Sequence, residues 1–180
     1  MNKIKKVFKK NLRVLISGFS DGILTALTIA AHRIIESNSI INLDLALRVS
    51  IAGASSSAFI FAVAQYAQLR SELVEAEKQL NLTSHGKLVS SNLGRAVFFE
   101  SIISALLGSS AGFLGALFPL YLGIVVPDIR WFSIASALIV LAILGLLLAI
   151  TVHGRKILWA LCLTAAGVVF TYLGMQLKLL

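Results

Sequence analysis

One carboxylate stands well inside a long apolar stretch of the chain, and the polar residues around it recur at helical spacing. Asp21 lies near the middle of the apolar segment 12–31. Steps of four, four, three and four residues join the polar positions of this segment into one stripe: Ser17, Asp21, Thr25, Thr28 and His32. A carboxylate at this depth costs about 2.5–3.5 kcal/mol on membrane-insertion scales, and such a residue usually faces a cavity or a partner.

The polar stripe around Asp21 has two interpretations. Hydroxyls and a carboxylate in line can replace the hydration shell of a cation, so the stripe predicts a transport pathway with Asp21 as a metal ligand. The other interpretation is a helix interface, in which the hydroxyls bond backbone carbonyls and Asp21 is protonated or paired.

A second acidic residue, Glu100, lies near the start of the third apolar segment and is the other candidate metal ligand. Small residues and one proline follow it at helical spacing: Ser104, Gly108, Gly112, Gly115 and Pro119. This spacing lets helix backbones approach closely, so it indicates packing. Glu100 has two interpretations. It either contributes to a site at the N-terminal end of this row of small residues, or it lies among the lipid headgroups without a role.

The second apolar segment also carries a polar face, which includes Ser50, Ser57, Phe61, Gln65, Gln68 and Glu72. The run Ser55-Ser56-Ser57 makes this segment polar all round at mid-depth, which favours burial among other helices. Gln65 is a candidate contact in the pathway.

The composition requires lipid as the solvent for most of the chain. Of the 180 residues, 58% are hydrophobic and 13% charged, whereas soluble domains are about half apolar and a quarter charged. Five apolar runs have the length of a spanning helix: 12–31, 45–69, 96–122, 131–152 and 157–177. They are continuous rather than alternating, so they predict a single all-α membrane domain and not a β-barrel. We expect the third helix to end at Pro119 or shortly after it, and residues 70–95 to form a cytoplasmic, partly helical connection.

The basic residues predict the orientation of these helices. The formal charge is +8, and most of the lysines and arginines lie in the N-terminal segment, in the 70–95 connection and in the 153–156 turn. With five spans these three regions share one side, so the N-terminus is predicted to be cytoplasmic and the C-terminus outside or lumenal. Basic residues at the ends of apolar segments fit anionic headgroups rather than nucleic acid. The membrane could be the plasma membrane or that of an organelle.

The sequence offers no pattern typical of an enzyme or of a bound cofactor. The one cysteine, Cys162, lies inside an apolar run, so neither a disulfide framework nor a cysteine metal pair is predicted. The three histidines share no spacing, and we find no nucleophile with a base, no phosphate loop and no metalloprotease motif.

Four segments, in order along the chain, resemble the vacuolar iron transporter family. FSDGILTALTIAA resembles the family's first helix, where an Asp-Gly pair opens a polar face, and AVAQYAQLRSEL resembles the end of its second helix. LGSSAGFLGALFPLYLG resembles the glycine-rich third helix that closes on Leu-Pro, and AAGVVFTYLGMQL resembles the last helix.

The resemblance implies a homodimer whose first helices line a cation path at the two-fold axis, with Asp21 as the intramembrane carboxylate. Two such carboxylates repel when both are ionised, so the pair could alternate between a proton and a metal ion. The chain departs from the family at Gln65, where the family usually has a glutamate, and at Phe61, where it has a methionine. The family's acidic metal-collecting helices would correspond to Glu72, Glu75 and Glu77 in the connection.

These observations predict a proton-coupled transporter of iron or manganese that moves the metal out of the cytoplasm. Asp21 would exchange proton and metal, and Ser17, Thr25, Thr28, Gln65 and Glu100 would be secondary contacts. Two alternatives stay open, a non-transporting membrane scaffold that keeps the fold and a transporter of another solute.

Overall fold

The computed structural model describes residues 2–35, 42–79, 92–126, 129 and 131–176. The side chains of residues 2–11 and 32–35 lie outside this description, and so does the predicted His32 end of the polar stripe. The described residues form five α-helices: α1 (Asn2–Ile35), α2 (Leu43–Gln79), α3 (Asn92–Val125), α4 (Phe132–Val152) and α5 (Lys156–Gln176). Each helix is long and apolar enough to cross a membrane. The predicted all-helical build with five membrane-length helices is confirmed.

The first three helices are longer than a bilayer requires. α2 has 37 residues and is therefore about 55 Å long, against a hydrocarbon core of about 30 Å. The second helix continues through residues 70–79, as predicted for the first part of the connection, while residues 80–91 lie outside the described chain. α1 begins at Asn2, ten residues before its apolar run, so helix also covers the lysine-rich segment.

Pro119 lies inside α3, which ends at Val125, six residues after the proline and three residues after the predicted end of the span at 122. A proline lacks the N–H that would bond the carbonyl four residues earlier. Spanning helices tolerate it where neighbouring helices supply compensating contacts. Pro119 is buried, and the Ser133 hydroxyl of α4 donates a hydrogen bond of 2.7 Å to its carbonyl oxygen. α4 therefore packs against α3 at the level of Pro119 and binds its carbonyl oxygen.

This interhelical hydrogen bond gives a testable stability difference. Ser133→Ala is expected to lower the free energy of unfolding by about 0.5–1 kcal/mol, because it removes a hydrogen bond between helices. Ser136→Ala is the matched control, since the Ser136 hydroxyl donates to the Ser133 carbonyl of its own helix. Reversible unfolding in mixed micelles measures both variants, and an equal or larger loss for Ser136→Ala would contradict the role given to Ser133.

α1 lies at the centre of the bundle. It contacts all four other helices, with α2 and α3 paired on one side of it and α4 and α5 paired on the other. Among the described residues, α2 makes no contact with α4 or α5. The core between α1 and α4 is formed by Ile16, Ile23, Leu27, Leu141 and their neighbours. α1 therefore joins two helical hairpins.

Glycines bring α1 and α3 into backbone contact. A Cβ atom built on Gly18 would overlap the carbonyl oxygen of Gly108, and one built on Gly22 would overlap that of Gly112. The contacts advance in the same direction along both helices, so α1 and α3 run parallel. Two residues spaced by four on each helix thus form the close crossing typical of small-residue motifs in membranes.

The α4–α5 connection is a short turn at the same end of the bundle as the first turns of the apolar part of α1. His153 adopts the left-handed conformation with φ 58°, and the Gly154 N–H donates to the Ala149 carbonyl over 3.0 Å, which closes the end of α4. The Arg13 guanidinium reaches the Thr151 carbonyl over 3.5 Å. The basic residues of α1 and of this turn therefore share one end, as the predicted orientation requires. The side of the membrane on which this end lies stays a prediction.

Candidate functional site

Asp21 lies on the exposed side of α1, where one of its carboxylate oxygens is bound to α2. The buried Ser57 hydroxyl donates a hydrogen bond of 2.5 Å to Oδ2. Among the described residues, no hydrogen bond is made to Oδ1. The carboxylate is therefore held at one oxygen and open at the other, on the lateral surface of a membrane-spanning helix.

The two threonine hydroxyls of the stripe donate to their own helix. Thr25 Oγ1 donates to the Asp21 carbonyl over 3.0 Å, and Thr28 Oγ1 donates to the Thr25 carbonyl over 2.7 Å. Ser17 is exposed, one turn before Asp21. Backbone bonding is what the helix-interface interpretation expects of these hydroxyls. However, each hydroxyl oxygen keeps lone pairs that can face a cation, so these bonds are compatible with both interpretations.

The stripe runs between α2 and α5. A Cβ atom built on Gly53 of α2 would lie 4.0 Å from the Thr25 methyl group, so Thr25 lies next to α2. Gly174 of α5 approaches the Thr28 backbone so closely that a Cβ atom there would lie 2.5 Å from the Thr28 oxygen. Because α2 and α5 do not touch among the described residues, the open strip between them exposes Ser17 and Asp21.

Gln65 lies on α2 at a different level from Asp21. It is half-buried, and its Nε2 atom has no hydrogen-bond partner among the described residues. Eight residues separate it from Ser57, which is about 12 Å along the helix axis. The neighbouring Tyr66 packs edge-on against Phe98 of α3, with ring centroids 6.4 Å apart. Gln65 therefore belongs to a separate polar zone and does not meet Asp21 within the protomer.

Glu100 is also distant from Asp21 within one protomer. Gly22, the neighbour of Asp21, contacts Gly112 of α3, so Asp21 and Gly112 lie at the same depth in the bundle. Glu100 precedes Gly112 by twelve residues, which is about 18 Å along the axis of α3. It is exposed near the start of α3. The two predicted metal ligands are thus not brought together in a single copy of the chain.

The three glutamates at the end of α2 do not share one surface. Glu72 and Glu75 are exposed, whereas Glu77 is buried with 6% of its surface accessible. Gln68 Nε2 donates to Glu72 Oε1 over 3.2 Å. In the described ranges no group of three or more His, Cys, Asp or Glu residues is placed to hold a metal ion.

The sequence predicts that Ser50 and Ser57 lie on the polar face of α2, but it does not identify Ser57 as the partner of Asp21. The Ser50 hydroxyl is fully buried and has no hydrogen-bond partner in the described parts of the chain. The four-residue spacing of Gly18 and Gly22 matches that of the α3 glycines and is the sequence signal for the close crossing.

The fold and its surface define a multi-pass helical membrane protein, since five apolar helices leave large hydrophobic side chains on the outside of the bundle. Comparison of the chain with protein-family models, with curated proteins and with solved structures finds no match.

Proposed function

We propose that the chain is a divalent-cation transporter that moves ferrous or manganous ions out of the cytoplasm in exchange for protons. The proposal depends mainly on Asp21, a carboxylate on the exposed face of a membrane-length helix with one oxygen bound to Ser57 and the other open. A carboxylate can bind either a proton or a metal ion. Intramembrane ionisable residues commonly mark ion pathways.

The exposed position of Asp21 supports a second copy of the chain as part of the site. A lipid-facing carboxylate and the exposed Ser17 hydroxyl would cost free energy in hydrocarbon. Two copies related by a two-fold axis along this strip would cover both groups and would supply a second Asp21 as a metal ligand. Metal and protons would then compete for the paired carboxylates.

The dimer has its own test. With Cys162 replaced by serine, Ser17→Cys is expected to form an intermolecular disulfide under mild oxidation in the membrane, because both copies would present this residue at the axis. Ile143→Cys on α4 is the control, since Ile143 is also exposed, at 51%, but lies on another helix of the bundle. Efficient crosslinking at position 143 alone, or a fully active monomer, would contradict the shared-axis pathway.

Metal uptake into proteoliposomes that enclose a metal-sensitive dye tests the function directly. Ferrous and manganous ions are offered in turn, with and without a proton gradient. Saturable uptake of either ion that depends on the gradient supports the proposal. The absence of uptake from folded, dimeric protein would contradict it.

A specific contact favours a second candidate, a membrane scaffold without transport. Where the resembling family has a methionine, the Phe61 ring packs against Gly108, and it offers a transition metal no soft donor. Gln65 in turn cannot release a proton. A folded dimer that moves neither metal ion nor proton would support the scaffold.

A further inference from the structure

The polar face of α2 is interrupted by one aromatic residue. On one side of Phe61 lie Ser57 and the Asp21 carboxylate that it binds. On the other side lie Gln65, whose buried amide nitrogen has no partner among the described residues, and then Gln68. Phe61 is four residues from both Ser57 and Gln65, about 6 Å along the axis each way. It is half-buried between two polar zones of the same helix face.

The Phe61 ring occupies the space that a side chain would fill at Gly108 of α3. A Cβ atom built on Gly108 would lie 2.7 Å from Cδ2 of the ring and 3.0 Å from both Cε2 and Cγ. Gly18 of α1 abuts the Gly108 backbone. The three helices on this side of the bundle therefore converge at the level of Phe61, and its ring is the apolar group at that convergence.

We propose that Phe61 is an apolar gate between the Asp21 site and the polar zone around Gln65, which faces the predicted cytoplasmic side. The biological role of this gate rests on the transport function proposed above. The labelling experiment that tests the gate does not depend on transport. A ring that narrows a polar groove excludes water, and an ion cannot cross a dewetted constriction until the ring moves. Because the Phe61 side chain is only half-buried, its ring can move towards its exposed side. Because Gly108 has no side chain, the Phe61 ring can lie directly against the backbone of α3.

The gate is tested by the access of water to Ser57. With Cys162 replaced by serine and Ser57→Cys as the reporter, a small cationic methanethiosulfonate is added from the predicted cytoplasmic side. The thiolate, which forms only where water reaches the sulfur, attacks the reagent and forms a mixed disulfide with release of methanesulfinate. Phe61→Ala is expected to raise the labelling rate about tenfold or more, because it removes the dewetted constriction. Phe61→Leu keeps apolar bulk and should stay close to the parent.

The chain supplies a matched control and a second way to displace the ring. Phe59→Ala removes the same side chain two residues away on the outer face, where Phe59 is 72% exposed, and should leave labelling unchanged. Gly108→Ala displaces the Phe61 ring from α3 without removing it. This variant should raise the labelling rate of the cysteine at position 57 even if Phe61→Ala does not fold. Labelling that is already fast in the parent, or that is unchanged in both Phe61→Ala and Gly108→Ala, would overturn the gate.

Metal uptake separates the two proposals and is measured with Ser57 retained, in Phe61→Ala and in its parent, because Ser57 binds Asp21. Faster labelling in Phe61→Ala without metal uptake in any variant supports the gate and contradicts transport. Metal uptake in the parent with no change in labelling contradicts the gate and supports transport.

Discussion

Asp21→Asn is expected to abolish metal flux while the protein stays folded and inserted. Asparagine has the shape of aspartate and keeps a carbonyl oxygen that can accept the hydrogen bond from the Ser57 hydroxyl. The contact between α1 and α2 should therefore survive. The charge that would bind a metal ion, and the group that would exchange it for a proton, are both lost. We expect uptake into proteoliposomes to fall to the level of protein-free liposomes.

The control for this variant is Asp44→Asn at the start of α2. Asp44 is exposed and forms an ion pair with Arg48, four residues away in the same helix, with an N–O distance of 2.9 Å. An exposed pair of this kind contributes little to stability, so flux and folding should be close to the parent. Undiminished flux in Asp21→Asn would remove Asp21 from the mechanism. An equal loss of metal flux in Asp21→Asn and Asp44→Asn would indicate a general effect of removing acidic charge.

Gly22→Ala is expected to cause the largest loss of stability among single methyl additions to the bundle. Its Cβ atom would overlap the Gly112 carbonyl oxygen and would lie 2.7 Å from the Ala116 nitrogen. Both are backbone atoms of α3, so relief requires the two helices to separate. Overpacking that forces the backbone to shift costs about 1–3 kcal/mol and occasionally more, so we expect a cost at the upper end of this range and loss of folded protein in detergent.

Gly53→Ala is the matched control because it adds the same methyl group to a neighbouring helix of the bundle. The nearest atom to its Cβ would be the Thr25 methyl carbon at 4.0 Å, which is ordinary van der Waals contact. Unfolding in mixed micelles should therefore show little change for Gly53→Ala and a large loss for Gly22→Ala. Equal stability of the two variants would contradict the close α1–α3 crossing.

The sequence predicts the number and class of the helices well, because a spanning helix needs one continuous apolar run and each run is local. It places the end of α3 within three residues, at 122 against Val125. It does not predict the contact at Pro119, because the Ser133 hydroxyl that binds the Pro119 carbonyl comes from α4, which lies later in the chain. A rule based on neighbouring residues cannot include such a contact.

The candidate site is predicted only in part, for a similar reason. The periodicity of α1 identifies the stripe around Asp21, since the stripe belongs to one helix. The partner of Asp21 depends on the register between α1 and α2, and a shift of one turn would have brought Gly53 or Phe61 to it instead of Ser57. Axial depth could have separated Gln65 and Glu100 from Asp21, because both lie near the ends of their apolar runs while Asp21 is central.

The central position of α1 between two hairpins has a consequence for biosynthesis. α1 leaves the ribosome before α2, so its carboxylate can reach the bilayer before Ser57, thirty-six residues later, has been synthesised. Until α2 arrives, the nascent helix carries this carboxylate without its Ser57 partner, which is costly in hydrocarbon. Because α5 contacts both α1 and α4, these contacts form only after α5 has been translated. The order of translation thus places docking of the α4–α5 hairpin onto α1 after synthesis of α2 and α3.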